Sequence, residues 1–585
     1  MGELSIFKKI QFMRLSCGLL LLLILAVPNT SFAQTDAKDL TNIIRTLENH
    51  KPYQITKKPL GVFTKDHYKK EANFAEKLLR DLEKIDKSKL SESQQISVEL
   101  LQYDLTHTVK KYEYEAYLNP LLSDAGFHVS LPYQVRTLNT YGQVRAYLNA
   151  LNAIPKYVDE HLGLLREGLD KGITQPKVIF EGYESTYNDQ IVKNYQDSYY
   201  YSPFKNLPAV LTETQRDSVL KAAEKAINKN VTPQFKRIKK FFETEYLPNT
   251  RLALGVSETP KGEEYYYYLL EFYTTLDLSA DEIHEIGMTE VARINKEMQE
   301  VMRQTGFEGS FTEFIQFLRT DEQFYAKTPE ELLMFARDIA KRIDAQLPAF
   351  FNKLPRKPYG VEEVPSAIAP KYTTGRYIGA SSDTQPGYYW VNTYELASRP
   401  KYVLPSLTAH EAVPGHHLQI SLNNELEENI PEFRRKFYIS AFGEGWGLYS
   451  EFLAEEMGIY TTPYELFGKL TYEQWRACRL VVDTGIHAKG WTREEAVNFM
   501  KENTALSLHE INTEVDRYIS WPGQAVSYKI GELKIRELRS KAEAALGQNF
   551  NIRDFHEVIL EEGVVTLPIL EKRVNNYIQN SADSR

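Results

Sequence analysis

The segment Thr408–Gln419, TAHEAVPGHHLQ, begins as a zinc-peptidase helix does and then departs from that pattern. In H-E-x-x-H the second histidine stands four residues after the first, on the same helical face, and the glutamate beside the metal acts as general base. Here Pro414 holds that fourth position, and His416 and His417 follow late. In an unbroken helix His416 would lie about 240° around and about 9 Å along from His410, while His417 would return to the same face about 10.5 Å away. A regular helix is not expected through Pro414, which has no N–H for the carbonyl of His410 and whose ring crowds that turn; Gly415 beside it tolerates unusual dihedrals. With two residues looped out, His416 falls where the second ligand belongs and Glu411 keeps its place as general base. His417 is the alternative ligand.

A third ligand is expected downstream, in Phe442–Glu451, FGEGWGLYSE. On a helix Glu444, Glu451 and Glu455 share one face, and the small residues at 443, 445 and 447 allow close approach to a neighbour. Glu444 completes a His, His, Glu set that leaves one Zn²⁺ position open. Taken alone, such a glutamate belongs to a solvated acidic face; the first motif is what favours the ligand reading.

Outward from these motifs the chain reads as mainly α. Asn73–Asp86, Pro155–Lys171, Asp217–Tyr246 (with a break expected at Pro233) and Pro329–Leu347 carry apolar residues at three- and four-residue spacing, and a helix start is expected at Ser279. Lys353–Arg399 departs from this pattern: it is rich in Pro and Gly, and Gly387–Tyr394, GYYWVNTY, suits a strand. A small β-sheet is thus expected beside the metal helix, with an edge for an extended peptide and with Asn392 and Tyr394 as substrate contacts. A purely structural hairpin is the alternative.

Residues 1–33 form a separate unit: Lys8, Lys9 and Arg14 precede the apolar run Gly18–Val27, followed by small residues ending at Ala33. This order is that of a secretory signal peptide cut before Gln34, with an uncleaved anchor as the alternative. Cys17 precedes the apolar run and is badly placed for lipidation. Removing the segment's net +2 takes the formal charge from −9 to −11, which argues against nucleic acid or an anionic membrane as partner. Cys478 alone remains, so no intramolecular disulfide can form. At 585 residues the chain is divided into an N-terminal helical region, 34–250, and a catalytic region, 251–585, or forms one continuous unit.

HEAVPGHHLQ, EGWGLYSE, RLVVDTGIHAKGW (Arg479–Trp491) and RYISWPGQAVSYKIG (Arg517–Gly531), in that order, resemble the bacterial family known as domain of unknown function 885. The resemblance covers most of the chain after residue 33 and implies a large, helical, gluzincin-like metallopeptidase fold. Gly-His-His-Leu is similar to the Gly-His-x-Leu that closes the zinc motif in the helical oligopeptidases and carboxypeptidases of that clan, which again favours His416 over His417.

The last two blocks hold candidates for stabilising an oxyanion: Tyr528, four residues after Gln524, and His487, with Asp483 one turn earlier to orient its ring. Arg517 is a candidate anchor for a substrate carboxylate, or else a structural ion pair. The expected function is that of an exported, zinc-dependent hydrolase of short peptides. A hydrolase of non-peptide amides or esters, or a metal-free binding protein on the same fold, are the alternatives. The intact Glu411 argues against the last, since a scaffold has no use for a carboxylate there.

Protein recovered from the cell envelope is expected to begin at Gln34. Intact-mass measurement checks this, and a chain still carrying Met1–Ala33 would refute it.

Overall fold

Helices form where apolar residues recur on one face, and several first turns carry side-chain caps. Ser279 caps the helix Ala280–Gln304 through its hydroxyl, while Glu282 reaches back to the Ser279 N–H. Thr328 caps Pro329–Phe350 in the same way from its own hydroxyl. The structure, a computed structural model, describes residues 35–366, 368–369, 372–380 and 384–583. The signal segment expected over residues 1–33 lies outside them. Among the described residues the chain is mainly helical with one small sheet, and no helix is long and apolar enough to cross a membrane.

Two of the expected helices differ in their bounds. The helix expected from Pro155 starts at Tyr141, because Val144, Tyr147, Leu151, Ile154, Val158 and Leu162 form one buried stripe through the proline. No break occurs at Pro233: wide π turns at Ile227–Val231 and Phe242–Tyr246 keep the chain helical from Glu213. The main apolar core runs from Ile96 to Val574 and passes Thr250 without interruption. Cys478 is buried within it.

The sheet contains β1 (Tyr359–Glu363), β2 (Gly375–Ile378) and β3 (Gly387–Val391) in the order β1-β3-β2. β1 pairs with β3 in parallel, β2 with β3 antiparallel. The strand read from GYYWVNTY is therefore central: both of its hydrogen-bonding sides are taken, and it offers no edge to a peptide. The free edge nearest the candidate site belongs to β2.

Four helices build the site's framework: Leu404–Glu411, Ser440–Glu456, Pro463–Ala488 and Ser527–Leu546. Ser440–Glu456 and Ser527–Leu546 cross at Gly445 and Gly531, where a Cβ on Gly531 would stand 1.9 Å from the carbonyl oxygen of Ala441 and one on Gly445 2.6 Å from the Gly531 carbonyl carbon. Ala280–Gln304 lies along Pro463–Ala488 with similar intimacy, since a Cβ on Gly287 would meet Leu480 and Val481 at 2.8 Å. A buried ion cluster adds to this packing: the fully buried Lys529 meets Glu290, Glu473 and Glu532 at 3.0, 2.9 and 2.8 Å.

Gly531→Ala must push two helices apart and is expected to lower stability by ~1–3 kcal/mol, as overpacking does. Gly163→Ala, at a helical position with nothing within 4 Å, serves as control and is expected to be neutral or stabilising by ~0.5–1 kcal/mol. Thermal unfolding compares the two; equal Tm values would contradict the packing argument.

Candidate metal centre

The local path of the chain at Pro414 decides which side chains meet. The first helix ends at Glu411, Ala412 leaves the helical region (φ −93°, ψ −107°), and helix resumes at His416. The Gly415 N–H reaches back six positions to the carbonyl of Ala409 at 2.9 Å, and the His417 N–H to that of Ala412 at 3.0 Å. Only glycine fits at 415, because a Cβ there would lie 1.9 Å from the His410 carbonyl oxygen. Trp446 fastens the bulge from outside, its indole N–H donating to the Pro414 carbonyl at 2.8 Å.

The bulge brings the His410 and His416 rings to 4.7 Å between centroids, at right angles. Glu444 Oε2 lies 3.5 Å from Nε2 of each. The three ligand atoms all fall within 4.8 Å of one another. Zn²⁺ with bonds of ~2.0–2.1 Å requires tetrahedral ligand atoms roughly 3.3–3.5 Å apart; the two imidazole-to-carboxylate separations match this, and two nitrogens with one carboxylate oxygen match zinc in donor type. Gly447 makes room for this arrangement, since its Cβ would stand 2.7 Å from the His410 ring.

The surroundings orient the ligands. His410 Nδ1–H donates to Glu451 at 2.8 Å, which leaves Nε2 to face Glu444. Glu451 is buried and also takes a hydrogen bond from Ser406 at 2.6 Å and an ion pair with Arg476 at 3.2 Å. Such a carboxylate–histidine pairing fixes the tautomer and raises ligand basicity. The Tyr438 hydroxyl donates to Glu444 Oε1 at 2.7 Å. Burial works against charge on His410, but its hydrogen bonds to Glu444 and Glu451 and the charges of Glu451 and Glu411 outweigh it and raise its pKa to about 10. Burial likewise opposes the Glu444 charge, yet the two imidazoles hold its pKa well below the usual carboxylate range. The carboxylates around His410 thus favour positive charge on its ring, and the imidazoles favour negative charge on Glu444.

His417, the alternative ligand, turns away: Tyr377 Oη lies 3.1 Å from its Nδ1, and its Nε2–H donates to the Lys357 carbonyl at 3.1 Å. Glu411 faces β2, with Oε2 accepting the Tyr377 N–H at 2.7 Å.

His410, Glu411, His416 and Glu444 open onto a cavity of about 520 Å³, within the range of small-ligand sites, ~300–1,000 Å³. Tyr528 and Arg517 also line it, with Arg517 Nη2 3.4 Å from the Tyr528 hydroxyl and the Tyr528 ring stacked 4.3 Å from the Arg479 guanidinium.

Four sequence-based expectations are corrected. His487 does not reach the cavity: it is fully buried, its Nδ1 accepts the Val256 N–H at 3.0 Å and its Nε2–H donates to the Tyr518 carbonyl at 2.9 Å. Burial pushes its pKa down to about 3, so it serves as a neutral link between segments. Asp483 does not orient that ring; it accepts from Tyr266 at 2.7 Å and from the Gly523 N–H at 3.1 Å, and burial pushes its pKa up to about 7. Asn392 is no substrate contact either. Its amide is buried and donates to the carbonyls of Ala369, Tyr372 and Thr373 at 3.0, 3.0 and 3.1 Å, while Oδ1 accepts the Tyr394 N–H. Tyr394 is half exposed and stands outside the cavity lining.

Sequence reasoning gave no role in the site to Glu451, Tyr438, Tyr377, Arg376 and Arg476. Glu451 carried a signal, lying on the Glu444 face two turns on. The others carried none, since each meets the site from a separate element.

The chain belongs to the family of bacterial proteins of unknown function DUF885, whose model matches residues 51–574. No curated protein matches it. Among solved structures, a lipoprotein candidate from Colwellia psychrerythraea is similar at 27% identity and a TM-score of 0.84, over 94% of this chain and 99% of the other. A lipoprotein candidate of unknown function from Shewanella oneidensis shares the fold at 17% identity and a TM-score of 0.63, over 93% and 99%.

His416→Ala is expected to abolish stoichiometric zinc binding, whereas His417→Ala retains it. Glu451→Gln is expected to weaken it ~10–100-fold, as loss of a ligand-orienting carboxylate does. Elemental analysis and chelator competition read all three; zinc loss in His417→Ala alone would reverse the ligand assignment.

Proposed function

We propose that this protein is a zinc-dependent hydrolase of short peptides, of gluzincin-like type, in which His410, His416 and Glu444 hold the metal and Glu411 is the general base. The observation that carries the reading is the convergence of two imidazole Nε2 atoms and one carboxylate oxygen beside a second carboxylate, at the wall of an open cavity. Zinc bound there supplies a Lewis acid that polarises a carbonyl and makes water acidic near pH 7.

The residues of the chain supply the proton traffic. Glu411 takes a proton from the attacking water and hands it to the leaving amine. The Tyr377 N–H, on Oε2, holds that carboxylate in one orientation during both transfers. Tyr528 and Tyr438 place hydroxyls on the cavity wall, and Tyr528 is the better oxyanion donor because the Tyr438 hydroxyl is already given to Glu444. The small cavity favours short, unfolded substrates over folded proteins.

Export of the chain is part of this reading. It is supported by the charged, apolar and small-residue order of residues 1–33 and by the lipoprotein descriptions of the two similar structures.

Glu411→Gln is expected to retain zinc while losing ~10²–10⁴-fold or more in turnover, because the amide fills the same space without accepting a proton. Tyr528→Phe is expected to lower turnover while leaving zinc in place. A peptide library incubated with each zinc-loaded variant provides the measurement. A Glu411→Gln protein as fast as wild type would overturn the mechanism, and a zinc-loaded wild type inert on every peptide would redirect the reading to non-peptide amides or esters.

A further inference from the structure

The cavity that opens on the metal site is lined by an excess of arginine. Arg376, Arg476, Arg479 and Arg517 reach it, against Glu411, Glu444 and Glu514. Two of these arginines are committed to the wall. Arg476 is buried, pairs with Glu451 at 3.2 Å and stacks on Tyr472 and Trp475. Arg479 is buried, pairs with Glu514 at 3.0 Å and donates to the Tyr518 hydroxyl at 3.0 Å.

The other two are under-neutralised. Arg517 has only a distant share of the same Glu514, at 3.4 Å, and otherwise meets neutral oxygens: Gln524 Oε1 at 2.7 Å and the Tyr528 hydroxyl at 3.4 Å. Arg376, on the cavity side of the β2 edge, stacks against Tyr372 at 5.5 Å and has no salt-bridged carboxylate among the described residues. Its pKa is raised: burial opposes its charge, Tyr372, Glu411 and Tyr528 favour it, and Arg517 acts against it. Arg376 and Arg517 thus line one cavity, and neither has a close carboxylate to itself among the described residues. Like charges in a half-enclosed site are best relieved by an anion between them, and the guanidinium fork matches a carboxylate.

Beside Arg517 stands Trp521, its ring 5.8 Å from the guanidinium. Trp521 donates to the Tyr273 hydroxyl at 2.7 Å, and this pair lines both the metal cavity and a separate cavity behind it. A short peptide ending against this pair would present its terminal carboxylate to Arg517.

We propose that Arg376 and Arg517 together bind the free C-terminal carboxylate of a short peptide, so that hydrolysis falls close to the C-terminus. The proposal rests on the hydrolase reading of the same cavity, and its test separates the two. Binding is measured by calorimetry on zinc-loaded Glu411→Gln protein with N-acetyl-Ala-Ala-Ala as free acid, the same peptide as C-terminal amide, and N-acetyl-Ala-Glu-Ala amide. The free acid is expected to bind at least ~10-fold tighter than either amide, and Arg376→Gln or Arg517→Gln, added to that protein, to bring the difference within ~2-fold. Arg517→Lys, which keeps the charge, is expected to restore part of it. Should Arg517→Gln fail to fold, Arg376→Gln, on an edge strand and without an ion pair among the described residues, carries the comparison. No measurable binding of the free acid, equal binding of acid and amide, equal binding of the Glu-containing amide, or a preference that survives both substitutions would overturn the proposal. Wild-type hydrolysis of the free-acid peptide is followed separately: acid preference without cleavage removes the hydrolase reading and leaves the carboxylate site standing.

Discussion

Backbone approaches that leave no room for a Cβ hold the centre of this molecule together. Gly415 lies against the His410 carbonyl, Gly447 against the His410 ring, and Gly445 and Gly531 against each other's helices. Each contact shortens the distance between two elements that carry polar side chains, and together they draw His410, His416 and Glu444 to one point. A side chain at any of them would force elements apart by a distance comparable to a metal–ligand bond. Close-packed interiors transmit such a displacement directly to their neighbours.

Drawing these groups inside carries a cost in desolvation that the surroundings must offset. Buried charges are tolerated only when paired and hydrogen-bonded, and removing one partner from a buried pair costs about 3–5 kcal/mol. Here the pairing is layered. Glu451 answers both His410 and Arg476, while Lys529 is held by three carboxylates directly beside Tyr528 in the chain. The ion cluster is remote from the candidate chemistry, yet it holds Ser527–Leu546 against Pro463–Ala488 through Glu473, and so sets where Tyr528 meets the cavity.

The same economy explains the failed assignments. His487, Asp483 and Asn392 are chemically suited to a site, but each sits where backbone groups of separate segments need a partner. A buried backbone N–H or C=O left unsatisfied is expensive, and a histidine, aspartate or asparagine can answer several at once. Their residue types therefore say little about function until the tertiary neighbours are known.

The sequence by itself determined the mainly helical class, the small sheet, and the local geometry of TAHEAVPGHHLQ. Helical period, capping residues and the missing N–H of Pro414 are properties of a few neighbouring residues, and so they are legible without the rest of the chain. It also placed Glu444 and Glu451 on one helical face, since their spacing is intrahelical. Only the tertiary structure decided which polar residues converge. The meeting of Arg376 and Arg517 on one cavity wall, the Tyr377 N–H on Glu411 and the Tyr438 hydroxyl on Glu444 each join separate elements. β3 reads as an edge or a centre equally well from its own residues; its place is set by β1 and β2, which pair on either side of it. Those relations depend on how helices and strands pack at contact distance, and no pattern within one element encodes them.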